Sequence, residues 1–301
     1  MCRLKSGIIL KDRIFVPEYD SHTKMLEELG IEDNYLTASK TFVRFELLPK
    51  DNDVFTNIDD WKLNIDQDIV PDWYDAETYK PRVIERVKDW AKEHIHIGIN
   101  NLNIDSGDNH FIKDCQNVCI GGNAIVDYIS GTTFVSCISD SVVVNEISDN
   151  VMVDCVCGRA VVKFVHKNAT IRNIYTDASV WHIFDNATIE NIFDNTTIIN
   201  ICNDAFVKNI CGNAIIENIH GNAIIENIHG RAIVKDICNN AIIKNMFGNA
   251  LVISHNFGWK NKDILSISEN ATFKDYDTKT IYQSKDWKFV NVNKSTNIKH
   301  E

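Results

Sequence analysis

The chain has no uninterrupted apolar stretch near the roughly 18 residues that a membrane span requires, and its opening residues, Met-Cys-Arg-Leu-Lys-Ser, lack the apolar core of a secretion signal. These absences lead us to expect a cytoplasmic protein without a membrane partner. The nine cysteines are an odd number, scattered and without a CxxC pair, which fits reduced thiols better than a disulfide framework. Positive charge is also in deficit: 31 Lys and Arg stand against 42 Asp and Glu, for a net charge of -11. That balance disfavours nucleic acid as a partner and leaves basic proteins open. At 301 residues and 44% hydrophobic, the chain has room for two units and a substantial core.

What is present is a repeat. From Asn123 to Phe257 the chain aligns in about fifteen successive nines, such as NATIENIFD and the twice-written NAIIENIHG. Position four is Val or Ile throughout, from Val126 through Ile171 and Ile216 to Val252, and position seven is Ile or Val until Met246 and His255. Position two is Ala, Thr or Val. Positions two and four therefore place a small and a large residue on one face of a strand. Nine extended residues cover only about 30 Å, too little to close a filled coil, so each nine is one side of a coil. Two nines per coil give a flattened two-sheet solenoid and three give a triangular one; the flattened form, with 18 residues per coil, is favoured. Asn at positions one and six, with Gly, Asp or Asn at nine, reads as corner chemistry, and stacked Asn amides can bond from coil to coil.

The expected fold is thus mainly β: a nonapeptide-repeat β-solenoid over 101–258, an α+β N-terminal domain over 1–100 and a small β cap over 259–301, the two ends protecting open sheet edges. In the first domain the patterns predict a hairpin at Gly7 to Pro17, a helix after Ser21, strands near Phe42 to Leu48 and Trp61 to Ile65, and an amphipathic helix from about Glu77 to His94. After the repeats, short strands are predicted at Ile264 to Ile267, Ala271 to Tyr276, Thr280 to Gln283 and Trp287 to Val292.

Several chemistries are excluded by what the nines do not carry. Calcium-binding nonapeptides need Gly-Gly and a regular Asp, and none recurs here. Ice-binding rows of Thr-x-Thr are absent, and acyltransferase hexapeptides have the wrong period. Mimicry of duplex DNA fails on charge: residues 123–257 hold 13 carboxylates and 8 Lys or Arg, whereas a duplex of about 35 Å carries roughly 20 phosphates. Position eight holds Cys202, Cys211, His220, His229 and Cys238 in five successive nines, but ligands in such a column would lie about 4.8 Å apart along a flat face, a poor match to a tetrahedral ion. No metal and no cofactor is expected.

Two sets of residues are candidates for function. Position three becomes apolar in the C-terminal half, as Phe206, Ile215, Ile224, Ile233, Ile242 and Leu251. If it faces outward, it exposes more apolar surface than a monomer tolerates and forms a contact surface, for a second copy as a homodimer or for a foreign protein. In the N-terminal domain, Cys2 with Asp20 and His22 could supply a nucleophile, an acid and an imidazole, with Arg44, Glu46 and Asp66 nearby in the pattern. His94 and His96 alternate as on a strand and could face a metal. The segments MCR, DSH at 20–22, FVRFEL at 42–47, WKLNIDQD at 61–68 and PDW at 71–73 resemble the N-terminal region of uncharacterised proteins of bacteriophage and prophage genomes, as do nines of the NATIENIFD kind. That resemblance implies that Cys2, Asp20, His22, Arg44, Glu46 and Asp66 belong to a shared pattern, and it implies no activity. The leading expectation is a non-enzymatic phage-type protein whose solenoid binds a host protein, such as a component of a bacterial defence system. An enzyme with Cys2 as nucleophile and a structural virion module are the alternatives.

Overall fold

The computed structural model describes residues 4–108, 110–255, 264–276 and 280–283. The chain divides into two compact units, residues 1–97 with 108–111 and residues 98–107 with 112–301.

In the first unit β1 (Lys5–Leu10), β2 (Ile14–Phe15), β3 (Phe42–Leu48) and β4 (Lys62–Ile65) form an antiparallel sheet in the order β2-β1-β3-β4. Val43, Phe45 and Leu47 alternate along one buried side, and Phe42 clusters with Ile8 on the other. Helix α1 (His22–Glu28) is capped by Ser21, which accepts from the Lys24 N–H, and lays Met25 and Leu26 on that core. Helix α2 (Tyr35–Ala38) is a single turn held by a capping box of Asn34 and Thr37. Helix α3 (Ala76–His94), capped by Asp75, buries Tyr79, Val83, Val87, Trp90, Ala91 and His94, a stripe at helical spacing.

The second unit is a two-sheet β-solenoid of about 10 turns with about 18 residues per turn. Every pairing between nines joins residues 18 apart in parallel, as in Thr170↔Thr188 and Ile215↔Ile233. Odd nines, from Ile125–Ser130 and Val143–Ile147 to Leu251–Ser254, make one sheet, and even nines, from Phe134–Ile138 to Ile242–Met246, make the other. Strands before Asn123 (Asn103–Ile104 and Val118–Ile120) already belong to the even sheet. Ile264–Ile267 continues that sheet and Thr272–Asp275 continues the odd one, both in parallel, and Thr280–Gln283 then pairs antiparallel with the latter. Trp287 to Val292 lies outside the described residues.

The nine-residue code is physical at each position. Position four, and position seven up to Met246, are fully buried, Ile216 with Ile219 and Ile225 with Ile228 among them, in one continuous core. Each such side chain contributes about 1.5–3 kcal/mol of burial before entropy is subtracted. Two inward residues three apart break simple alternation, and the backbone bends between them: pairing runs through positions three, four, six and seven and skips five. Position six therefore sits inside the strand rather than at a corner. Its amides form the ladder Asn173, Asn191, Asn209, Asn227, Asn245 on the even sheet, with successive donor distances of 2.9–3.1 Å.

The corner is a four-residue turn from position eight to position two, closed where the Ala N–H reaches back, as in Ala205 N to Cys202 O at 3.3 Å. Position nine, the first central residue, has positive φ at every described corner from Gly131 to Gly248, including Asp194 (53°), Asn203 (56°) and Gly212 (69°). That sign is natural to Gly and tolerable for Asn and Asp. The aspartates do more: Asp140 Oδ2 accepts from Gly122 N (3.0 Å) and Asp194 Oδ2 from Thr176 N (3.1 Å), each one coil back.

Candidate interaction face

Among the described residues, Asp20 and His22 each have partners of their own. Cys2 lies outside the described residues. Asp20 accepts from Lys5 Nζ at 2.8 Å and from Ser6 N at 3.0 Å, so it holds the first strand and neutralises a fully buried ammonium. His22 places Nδ1 3.1 Å from Asp66 Oδ2 and Nε2 3.1 Å from the Phe45 carbonyl. With both ring nitrogens facing acceptors, neither is left as a base toward a nucleophile. Arg44 pairs with Asp33, and Glu46 accepts from Asn64 Nδ2 at 3.2 Å. Arg44 and Asp66 do meet in an open cleft of about 560 Å³, together with Asp33, Asn34, Gln67 and Asp68. Its cation is already partnered.

His94 and His96 do not converge either. His94 Nδ1 lies 2.7 Å from the Trp90 carbonyl and its Nε2 meets Glu18, while His96 Nε2 lies 3.3 Å from His110 Nδ1. Burial, helped by the charges that His110 and His94 would carry, pulls the His96 ring down to about 4. The position-eight residues stack as the 18-residue coil requires, Cys202, His220 and Cys238 beside the odd sheet and Cys211 with His229 beside the even one. His229 is covered by Phe247, rings parallel at 4.7 Å.

The apolar position-three residues face outward and fall into two columns on opposite sheets. Phe206, Ile224 and Ile242 run down the even sheet, and Ile215, Ile233 and Leu251 run down the odd one. Each is half-buried, because its neighbours one coil above and below cover its flanks. The ladder is thus two three-residue stripes rather than one surface.

An aromatic cluster lies further up the odd sheet. Phe164 and His182 stack one coil apart at 5.2 Å, His166 and Phe184 stack at 4.8 Å, and Phe164 meets Phe184 edge-on at 6.5 Å. Lys163 Nζ sits 5.5 Å from the Trp181 ring centroid. Outward strand positions bring these rings together because residues 18 apart are neighbours, and positions five, six and eight all point away from the core. Phe164 and Trp181 remain 38% and 37% exposed, against a surrounding strand surface of Ser, Thr, Lys and Asn. His166 is anchored from the other side by Glu146 at 2.9 Å. The same strand register continues from Val161 and Ser179 through Thr197 to Ile215, Ile233 and Leu251, so the rings and one apolar column share a single face.

A flat face with fixed aromatic rings is suited to docking rather than to chemistry. Trp and other aromatic residues with few rotamers dominate binding energy at protein interfaces, and here the parallel sheet has already ordered them. No protein-family model, no curated protein and no solved structure matches the chain.

Proposed function

We propose that the chain is a non-enzymatic interaction protein that docks a protein of the host cell on the outward face of its odd sheet. The observation that carries this reading is the exposed, pre-stacked group of Phe164, Trp181, His182 and Phe184 on a rigid scaffold. Trp181 and Phe164 are the anchors. The Ile215, Ile233 and Leu251 column extends the apolar contact along the same strands. The net charge of -11 favours a partner with basic groups around the apolar centre. The resemblance to phage proteins supplies the host as the source of the partner.

The test is a pull-down from bacterial lysate with three tagged forms of the full chain: wild type, Phe164→Ala/Trp181→Ala, and Ile224→Asp/Ile242→Asp on the opposite sheet. The expected result is one stoichiometric protein held by wild type and by the even-sheet variant and lost from the aromatic variant, whose affinity falls by 2 kcal/mol or more, about 30-fold. Capture that survives the aromatic substitutions and fails with the even-sheet ones would move the interface to the other face. No partner with any folded form would sink the proposal.

A further inference from the structure

Three cysteines converge on the even sheet, away from the docking face. Cys137 and Cys155 occupy position six of strands Phe134–Ile138 and Met152–Val156, which pair in parallel, and Cys157 follows Cys155 by two. The inward residue between them, Val156, is fully buried, so Cys155 and Cys157 straddle it and both project outward. All three sulfurs lie within 4.8 Å of one another, and Cys137 Sγ is 3.9 Å from Cys157 Sγ. One coil further on, the Tyr175 hydroxyl lies near both Cys155 and Cys157. Among the described residues this is the only grouping of three or more His, Cys, Asp or Glu side chains with ligand atoms so close.

Zinc–sulfur bonds of about 2.3 Å at tetrahedral angles separate neighbouring sulfurs by roughly 3.8 Å, so one pair already stands at the spacing of a bound ion and the third sulfur needs only a small rotation. The donor set is all sulfur, which selects soft ions over Mg2+ or Ca2+. Its side chains are half-buried, which leaves an entry path and a fourth position toward solvent beside the Tyr175 hydroxyl. Rigid parallel strands fix two of the three ligands, so little entropy remains to be lost on binding. We propose that Cys137, Cys155 and Cys157 form a three-thiolate site for a thiophilic d10 metal ion, with Zn2+ as its probe. The site uses cysteines in the N-terminal half of the solenoid rather than the position-eight Cys and His residues that stand out in the sequence.

The test uses the full chain, reduced and stripped with a chelator. Zn2+ is titrated calorimetrically and Co2+ is followed by its thiolate charge-transfer absorption. One equivalent of Zn2+ per chain and a thiolate–cobalt band are expected. Cys137→Ser and Cys157→Ser should each weaken binding beyond the ~10–100-fold that follows loss of a mere supporting group. Cys119→Ser, one rung away in the same column, should bind as wild type, with circular dichroism unchanged in every variant. Equal Zn2+ binding by wild type and a folded Cys137→Ser/Cys155→Ser/Cys157→Ser variant would overturn the assignment, as would the absence of a thiolate–cobalt band in folded wild type.

Discussion

Replacing Asp20 by Asn separates a structural carboxylate from a catalytic one. Lys5 Nζ is fully buried, 2.8 Å from Asp20 Oδ1, 3.4 Å from the Glu18 carbonyl and 4.8 Å from the centroid of the Trp90 ring. Asn keeps an acceptor for the Ser6 N–H and removes only the charge, leaving the ammonium buried without a counter-ion. Breaking one side of a buried pair costs about 3–5 kcal/mol. Because the Asp20 side chain is 36% exposed, water relieves part of this, and the lower end, about 3 kcal/mol, is expected. Urea unfolding of the full chain, with hydrogen exchange read on peptides covering β1 and β3, places the loss in the first unit. The double variant Lys5→Met/Asp20→Asn should recover most of it, since an apolar chain of similar volume suits the site beside Trp90. An Asp20→Asn protein within about 0.5 kcal/mol of wild type, the range of an ordinary surface change, would refute the reasoning and return Asp20 to the candidates for chemistry.

Two further outcomes follow from groups already described. The native His96 ring resists a proton until about pH 4, whereas the unfolded ring accepts one below about pH 6.5; stability of the first unit should be full above pH 6.5 and fall by about 2–3 kcal/mol as pH drops to 4. His96→Phe should flatten that dependence in acid-titrated urea unfolding, and an unchanged slope would remove His96 as its source. Gly212→Ala should destabilise the solenoid by at least about 2 kcal/mol, because a left-handed Ala is strained and its Cβ would stand 2.5 Å from the Asp194 backbone nitrogen. Thermal unfolding at the wild-type midpoint would show that the corner is looser than described.

The repeat was legible in the sequence because its two core positions carry β-branched residues in almost every nine; the perimeter argument then made each nine one side of a coil, with 18 residues per coil favoured over 27. Less of the surface could be read. Recurrent Asn reads as a corner residue at position six, since the bend at position five leaves no mark in residue type. The apolar residues at position three look like one ladder when nines are read in order, and become two columns once alternate nines belong to different sheets. The aromatic face and the thiol group were missed for a related reason: their members are partners at a separation of 18, as with Lys163 and Trp181, Phe164 and His182, Cys137 and Cys155, or Cys157 and Tyr175. Comparing each residue with the one 18 further on would have found them. The environment of Asp20 and His22 had no such signal, because a buried Lys5 and a carbonyl from Phe45 reach them only through tertiary packing.

With two nines to a coil, the solenoid has a parity. The two copies of NAIIENIHG, 213–221 and 222–230, are identical in sequence and lie on opposite sheets. Gain or loss of a single nine by unequal recombination would leave the core intact and carry every downstream side chain to the other side of the molecule, splitting the aromatic rings from the Ile215 column. Gain or loss of a pair would only lengthen or shorten the rod. A lineage that depends on one face should therefore vary in steps of eighteen residues, and a step of nine should mark a change of partner.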